Sequence, residues 1–320
     1  MGSGAGDPRP DYKATGTVGE TESESRRTVA QGKEAGGGLA FRRLATPEEF
    51  RAAEEVQRVA WGLTTDSPVP APMLRALQDN GGLVLGAFSG ATLIGVTAGF
   101  LGREEGRSFH YSHITGVRPD QQNRHVGLAL KSVQRLEVLR DGLDEIRWTF
   151  DPIQAKNAFF NLRRLGGRPD RYYPNYYGPM GDSLNEGLET DRLRLIWSIS
   201  DPHVESRLRG ELPSAADDEA RWRRSQALIE TALGGPGLRR PASVRTPAQP
   251  EAVIEIPLDL ANVRSRDFGG VRRWREAMRE AFTAAFQAGY RVEDFAVVTV
   301  GGEKRAGFFL ARAPREGDAA

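Results

Sequence analysis

The chain has 320 residues, with 44 Lys+Arg against 43 Asp+Glu, four His and no Cys. That length suits two domains or one enlarged domain with appendages, and a net charge of +1 leaves no global field to gather nucleic acid or an anionic membrane surface. Without cysteine there is no disulfide framework, thiolate nucleophile or Cys-based zinc site, so no metal is expected and the compartment is read as cytoplasmic.

Residues 1–38 hold nine of the 37 glycines and no Leu, Ile, Phe or Trp. Such a stretch cannot bury enough surface to offset chain ordering, so a disordered tail is expected, and it lacks the apolar run of a secretory signal. Thr46-Pro47-Glu48-Glu49 reads as a capping box opening a helix through Trp61, and a second short helix is predicted over Ala71–Asp79. Strands are predicted at 82–88, 91–101 and 108–117. Residues 81–102 carry no charge and are about long enough to cross a bilayer. Ser89-Gly90 at their centre splits them into two β-prone halves joined by a tight turn, which argues against a membrane span. From about Gly127 to Arg140 the spacing of Leu130, Val133, Leu136 and Leu139 predicts a helix that Gly142 stops. Ile146, Trp148 and Phe150 alternate along a strand, and Asp151-Pro152 is read as the cap of a helix to Leu165. Strands follow near 171–177 and 192–199.

Residues 201–250 turn charged and loop-rich and read as a linker with one helix at 217–233. Residues 251–313 predict an accessory strand, helix, strand, strand segment. Val271, Trp274, Met278, Phe282 and Ala285 share one side of its helix, Gly289 ends that helix and Gly301-Gly302 turns a hairpin. The segment is placed to extend the sheet, form a lid or make a homodimer contact.

Several enzyme motifs are absent: no Gly-x-Ser-x-Gly, no Walker loop, no His-Glu-x-x-His and no EF-hand loop. The informative stretch is 108–129, SFHYSHITGVRPDQQNRHVGLA. A strand runs into Val117-Arg118-Pro119-Asp120, then a polar turn, then a helix. Backbone amides from Gln122 to Ala129 would face out of that helix N-terminus, where the helix dipole favours a pyrophosphate. Gly116 marks a bulge that could part this strand from its neighbour. A strand-to-helix turn with a glycine also occurs without any ligand; its position between a hairpin and the Asp151 helix is what favours one here.

These residues resemble the GNAT superfamily of CoA-dependent N-acyltransferases, whose loop reads Val-x-Pro-(Asp/Glu)-x-(Gln/Arg)-x-x-Gly-x-(Gly/Ala). Val117, Pro119, Asp120, Gln122 and Gly127 match in register, with His125 where the first glycine is usual. A shifted register, Arg124-x-x-Gly127-x-Ala129, restores the glycine but breaks the spacing from Val117. The stretches LALKSVQRLEVLRDG, WTFDPIQAKNAFFNLRRLG and NYYGPMGDSLNEGLETDR are similar to a large, poorly characterised bacterial branch that also carries a tail like EIPLDL through WREAMREAFTAAFQAGYRVEDF. The resemblance covers about residues 39–200. It implies an α/β (α+β) fold with a mixed, mostly antiparallel central sheet flanked by helices. It also implies acetyl-CoA or another acyl-CoA as co-substrate, succinyl-CoA remaining open, and a small-molecule amine or amino-acid acceptor. The implied donor contacts are Val117, Gln122, Asn123, Arg124, His125, Val126, Gly127, Leu128 and Ala129. Asn157 joins them as the candidate nearest to Ala155, where the family's pantetheine-contacting Asn falls.

N-acylation must remove a proton from an ammonium near pKa 10 and compensate the leaving thiolate. The family's acidic Tyr falls on Leu162, so Tyr177 is the substitute among Tyr173, Tyr176 and Tyr177; aromatic packing with a surface hydroxyl is its alternative. Strand alternation puts Tyr111, His113, Thr115 and Val117 on one face. His113 titrates in the right range to relay a proton, against the alternative of a hydrogen-bonded structural histidine. His110 faces the other way, and His203 falls in the linker. With no Cys, direct attack in a ternary complex is expected. The competing reading is a non-catalytic acyl-CoA-binding regulatory module.

Overall fold

The computed structural model describes residues 38–63, 68–122, 124–180, 187–234 and 237–312. Asn123 and all of the expected tail except Gly38 lie outside the described residues. Strands β1 (Leu39–Arg43), β2 (Leu83–Ser89), β3 (Thr92–Glu104), β4 (Arg107–Val117), β5 (Glu145–Phe150), β6 (Arg168–Tyr173) and β7 (Arg192–Ser198) build one sheet in the order β1-β2-β3-β4-β5-β7-β6. Every neighbouring pair is antiparallel except β4 and β5, which run parallel. This is the mixed, mostly antiparallel sheet flanked by helices that the sequence implied. The uncharged 81–102 stretch is the β2–β3 hairpin, turned at Gly90 with φ 58°, and no described helix is long and apolar enough to cross a membrane.

Helices α1 (Pro47–Trp61) and α2 (Ala71–Asp79) cover one face of this sheet. Thr46 opens α1 by accepting the Glu49 N–H at 3.3 Å. Phe50, Ala53, Val56 and Leu74 then pack on Val84, Phe88, Val96, Ala98 and Ile114. On the other face lies α3 (Val126–Arg140), where Val126, Leu130 and Val133 meet Leu85, Ala87, Ile94 and Ile146. Leu136, counted in the predicted apolar stripe, is exposed; the buried face runs instead through Lys131, Gln134 and Val138. Each apolar side chain removed from water contributes roughly 1.5–3 kcal/mol, and a one-residue slip of any strand would exchange these layers for solvent.

Two expectations are corrected past β5. Asp151 is not a helix cap: its Oδ1 accepts the Ile153 N–H at 3.1 Å, and Gln154 precedes α4 (Ala155–Ala158), which widens into a π-turn over Phe159–Arg164. Residues 201–250 are not a linker. They form α5 (Pro202–Leu208), α6 (Ala215–Arg224), β8 (Gln226–Ala227), β9 (Ile229–Leu233) and β10 (Arg239–Val244). The single helix expected at 217–233 stops at Arg224, because buried Leu228 and Ile229 continue in strand pairing. Charges that read as solvated are here ion-paired in the interior: Arg163 and Arg207 share Asp294 at 2.6 and 2.8 Å, and Arg163 also binds Asp218.

The remaining chain gives β11 (Glu251–Ile256), α7 (Leu260–Arg266), α8 (Phe268–Gln287), β12 (Tyr290–Val300) and β13 (Glu303–Arg312). A second sheet runs β12-β13-β11-β8. Val271, Trp274, Met278, Phe282 and Ala285 of α8 are all buried, and Phe282 stacks on Tyr172 of β6 at 5.4 Å. One hydrophobic core therefore runs from α3 to β13.

Candidate active site

The β4–β5 ladder holds only two pairs, His110 with Ile146 and Tyr111 with Arg147. Beyond them the strands part, leaving a fork whose closed end is at Tyr111 and whose open end is at Val117. Arg118 N–H bonds Ile94 O of β3 at 2.9 Å. By the two-residue alternation of an antiparallel ladder, the N–H groups of Val117 and Thr115 then point into the fork. Gln122 Nε2 donates to Val117 O at 3.3 Å, and Lys156 Nζ donates to Gln122 Oε1 at 3.3 Å. These two contacts tie the loop to α4 across the open end.

The expected bulge is present but misplaced by the sequence reading. Ala98 pairs Ile114 and Gly99 pairs Ser112, so His113 is the extra residue; Gly116 pairs regularly with Val96 and packs near Ala60 and Trp61 of α1. The bulge also breaks the predicted common face. Tyr111 and His113 stay together, with ring centres 6.4 Å apart and Phe100 within 5.4 and 6.3 Å. Thr115 turns to Thr97, oxygen to oxygen at 2.8 Å, and Val117 turns toward Gly127 at the start of α3.

After β4, a 3-10 turn over Pro119–Gln121 uses the Gln122 N–H, which bonds Pro119 O at 3.3 Å. The first bond of α3 is Ala129 N–H to His125 O at 3.0 Å. Gln122 and Ala129 therefore drop out of the row of free amides, and those of Val126, Gly127 and Leu128 meet no acceptor among the described residues. His125 has φ 60° and ψ 9°, left-handed, a conformation for which glycine is the usual residue. That backbone supports the register in which His125 replaces the first glycine. A side chain carbon added at Gly127 would meet Phe160 and Val117 at 3.9 Å, so the protein's own packing has room for one. Arg124 and Asn157 are exposed, Ala155 is buried, and Lys156 adds positive charge at the open end.

On the face carrying His113, the loop after β6 brings phenols to the closed end. Tyr177 OH and Thr149 Oγ1 of β5 share a hydrogen bond at 3.2 Å. Tyr111 lies beside both, and burial followed by the neighbouring Tyr177 and Tyr176 raises its pKa. Tyr111 thus joins His113 to Tyr177 in one cluster, to which Tyr176 adds a ring 4.7 Å from Tyr177. His113 is open to solvent on one side; burial of its other side lowers its pKa. Leu162, at the position of the family's acid, is in the core.

The opposite face holds a network that the sequence reading missed. His110 is buried, its Nε2 3.2 Å from Gln134 Nε2, and burial, then Lys131 and Arg43, push its pKa down to about 3. Lys131 Nζ donates to Ser112 Oγ at 2.8 Å and Gln134 Oε1 at 3.0 Å. A lysine spaced among apolar residues on one helix was the available signal. His203, expected in a linker, sits half-buried on α5. No group of three or more His, Asp or Glu side chains among the described residues is arranged to hold a metal.

No family model and no curated protein matches the chain. It is similar to the ribosomal-protein-S18-alanine N-acetyltransferase from Escherichia coli, at 16% identity and TM-score 0.42, over 51% of this chain and 94% of that one. A putative acetyltransferase of the GNAT family from Desulfovibrio desulfuricans is similar at 19% identity and TM-score 0.40, over 51% of this chain and 99% of that one. An N-acyl amino acid synthase from uncultured soil microbes follows at 14% identity and TM-score 0.39, over 51% and 92%.

Proposed function

We propose that the chain is a GNAT-type N-acyltransferase that moves an acyl group, acetyl by default, from acyl-CoA to the primary amine of a small molecule or amino acid. The observation that carries this is the fork between β4 and β5, opening toward the amides of Val126, Gly127 and Leu128, which meet no acceptor among the described residues. A pyrophosphate on those amides, beside Lys156 and Arg124, directs the pantetheine arm into the fork. That arm is itself an amide chain, and the inward N–H groups of Val117 and Thr115 can pair with it as with an added strand.

The thioester then lies by His113, Tyr111 and Tyr177. His113 accepts the proton of the incoming ammonium, directly or through water, and the free amine attacks the thioester carbonyl. Backbone donors at the bulge stabilise the resulting oxyanion. As the carbon–sulfur bond breaks, the electron pair goes to sulfur, Tyr177, the phenol at the closed end, protonates the thiolate, and the second proton of the attacking nitrogen passes to the Tyr177 oxygen, leaving a neutral amide and a restored phenol.

Buried Leu162, in place of the family's acid, favours a second reading: a module that binds acyl-CoA without turning it over. Thiol release from acetyl-CoA or succinyl-CoA with a panel of amines and amino acids, alongside calorimetry with CoA, separates the two. Binding with turnover supports the enzyme. Binding without transfer to any acceptor supports the module, and no binding refutes both.

A further inference from the structure

Lys131 is a deeply buried cation beside the fork, with 3% of its surface exposed. Its ammonium meets Ser112 Oγ at 2.8 Å, Gln134 Oε1 at 3.0 Å and the face of Trp148, whose ring centre is 3.9 Å away. Ser112 and Trp148 are the two residues that would pair next if the β4–β5 ladder continued past Tyr111 and Arg147. One side chain from α3 thus touches both strands at the step where they separate.

The surroundings make the charge itself informative. Among the described residues Lys131 makes no ion pair. His110 on β4 feels the charges of both Lys131 and Arg43 on β1, and Glu137 and Arg140 lie farther along α3. His110 is held neutral at neutral pH, and Glu137 is bound by both arginines. From β5 it meets Trp148, which is held in turn by Asn161 of the π-turn at 3.2 Å and by the edge-on ring of Trp197 on β7. A buried ammonium without a counter-charge is unfavourable, and leucine or methionine would fill the same volume without that cost. What an apolar residue would not supply is a directed contact to Ser112 on one strand and Trp148 on the other.

Resting on the acyl-CoA reading, we propose that Lys131 is a positioning residue that fixes the width of the closed end of the fork, and with it the seat of the reacting thioester, by holding Ser112 and Trp148 apart. Burial lowers the pKa of this amine to about 7, so the contact with Trp148 carries a charge below that pH and loses it above.

The test uses the full chain and Lys131→Met. Methionine keeps the length, and its thioether packs on an aromatic ring. Ser112 and Gln134 remain hydrogen-bonded to each other at 3.2 and 3.3 Å, so the fold is expected to survive. The expected result is a kcat at least ~10-fold lower with the Kd for CoA, measured by calorimetry, changed less than ~3-fold, because the pyrophosphate is held at the far end. The fluorescence of the free wild-type protein, minus that of the variant, should titrate near pH 7 as the ammonium over Trp148 loses its proton. Should Lys131→Met not fold, Lys131→Gln takes its place, keeping a donor for Ser112 without the charge. A folded variant with wild-type kcat and an unchanged pH–rate profile overturns the proposal while leaving the acyl-CoA reading standing. A wild-type protein that neither binds CoA nor releases thiol overturns both.

Discussion

Replacing Gly127 by valine separates what the fold needs from what a ligand needs. Gly127 is the second residue of α3, outside the left-handed region, and an added Cβ meets only Phe160 and Val117 at 3.9 Å. Glycine costs a helix about 1 kcal/mol relative to alanine, and valine about half of that, so the substitution should leave stability within about 0.5 kcal/mol or raise it slightly. The effect on binding is the opposite. A pyrophosphate on the Val126, Gly127 and Leu128 amides must approach within about 2.7–3.2 Å of nitrogen, and a branched side chain occupies that approach. Losing one charge-assisted hydrogen bond, roughly 1.5–3 kcal/mol, weakens CoA at least ~10-fold. Calorimetry with CoA and urea unfolding on the same preparation read the two quantities. A stable variant that binds CoA like the wild type would place the pyrophosphate elsewhere and remove the main support for an acyl-CoA site.

His113→Ala should lower kcat by about 100-fold and flatten the rise of rate with pH below the ordinary histidine range, with CoA affinity unchanged by calorimetry; an unaltered pH–rate profile would make His113 structural. His110 stays neutral in the fold down to about pH 3, while in the unfolded chain it takes a proton near 6.5. The unfolded state therefore binds more protons between those values, and stability falls as pH drops from 6.5 toward 3, by at most about 1.4 kcal/mol per pH unit. Urea midpoints of wild type and His110→Gln across pH 4–7 should diverge accordingly, and parallel curves would refute the assignment. Arg275→Ala leaves the Asp151 carboxylate buried without its partner and should cost about 3–5 kcal/mol in urea unfolding; a loss under ~1 kcal/mol would mean water replaces the guanidinium.

Local chemistry made much of the β1–β7 sheet and its helices legible. The capped start of α1, the glycine turn of the hairpin and the β4–loop–α3 passage are set by residues within one turn of each other, and they stand where the pattern put them. What alternation could not show was the extra residue at His113, because a bulge is decided by pairing with β3, some fifteen residues away in sequence. It moved Thr115 and Val117 to the other face and left Tyr111 and His113 together. The same limit applies to 201–250. Arg207 and Asp218 look solvent-bound until Asp294 and Arg163 are placed against them, and no local pattern announces a partner 87 or 55 residues distant. For Lys131 the spacing among apolar residues was a signal, but its partners Ser112 and Trp148 lie on two different strands that no local pattern joins to it.

Those long-range pairs also account for how the fork is held. Arg275 of α8 grips Asp151 at the exit of β5 with bonds of 2.6 and 3.0 Å. One helical turn farther, Arg279 binds Asp191 at 2.7 Å. Asp191 in turn accepts the Tyr172 hydroxyl at 2.6 Å and the Asn175 N–H at 2.9 Å. Burial alone would raise this carboxyl's pKa, but hydrogen bonds from Arg279 and Tyr172 outweigh that and hold it low. Tyr177 follows Asn175 by two residues, and its own N–H is fixed by Thr190 Oγ1 at 3.0 Å. The C-terminal helix therefore anchors both the strand on one side of the fork and the loop that delivers Tyr177 to its closed end. The proposed acyl site needs its strands parted and its phenols in register, and the β4–β5 ladder itself ends at Tyr111. Helix α8 supplies the constraint from outside, through the ion pairs of Arg275 with Asp151 and of Arg279 with Asp191.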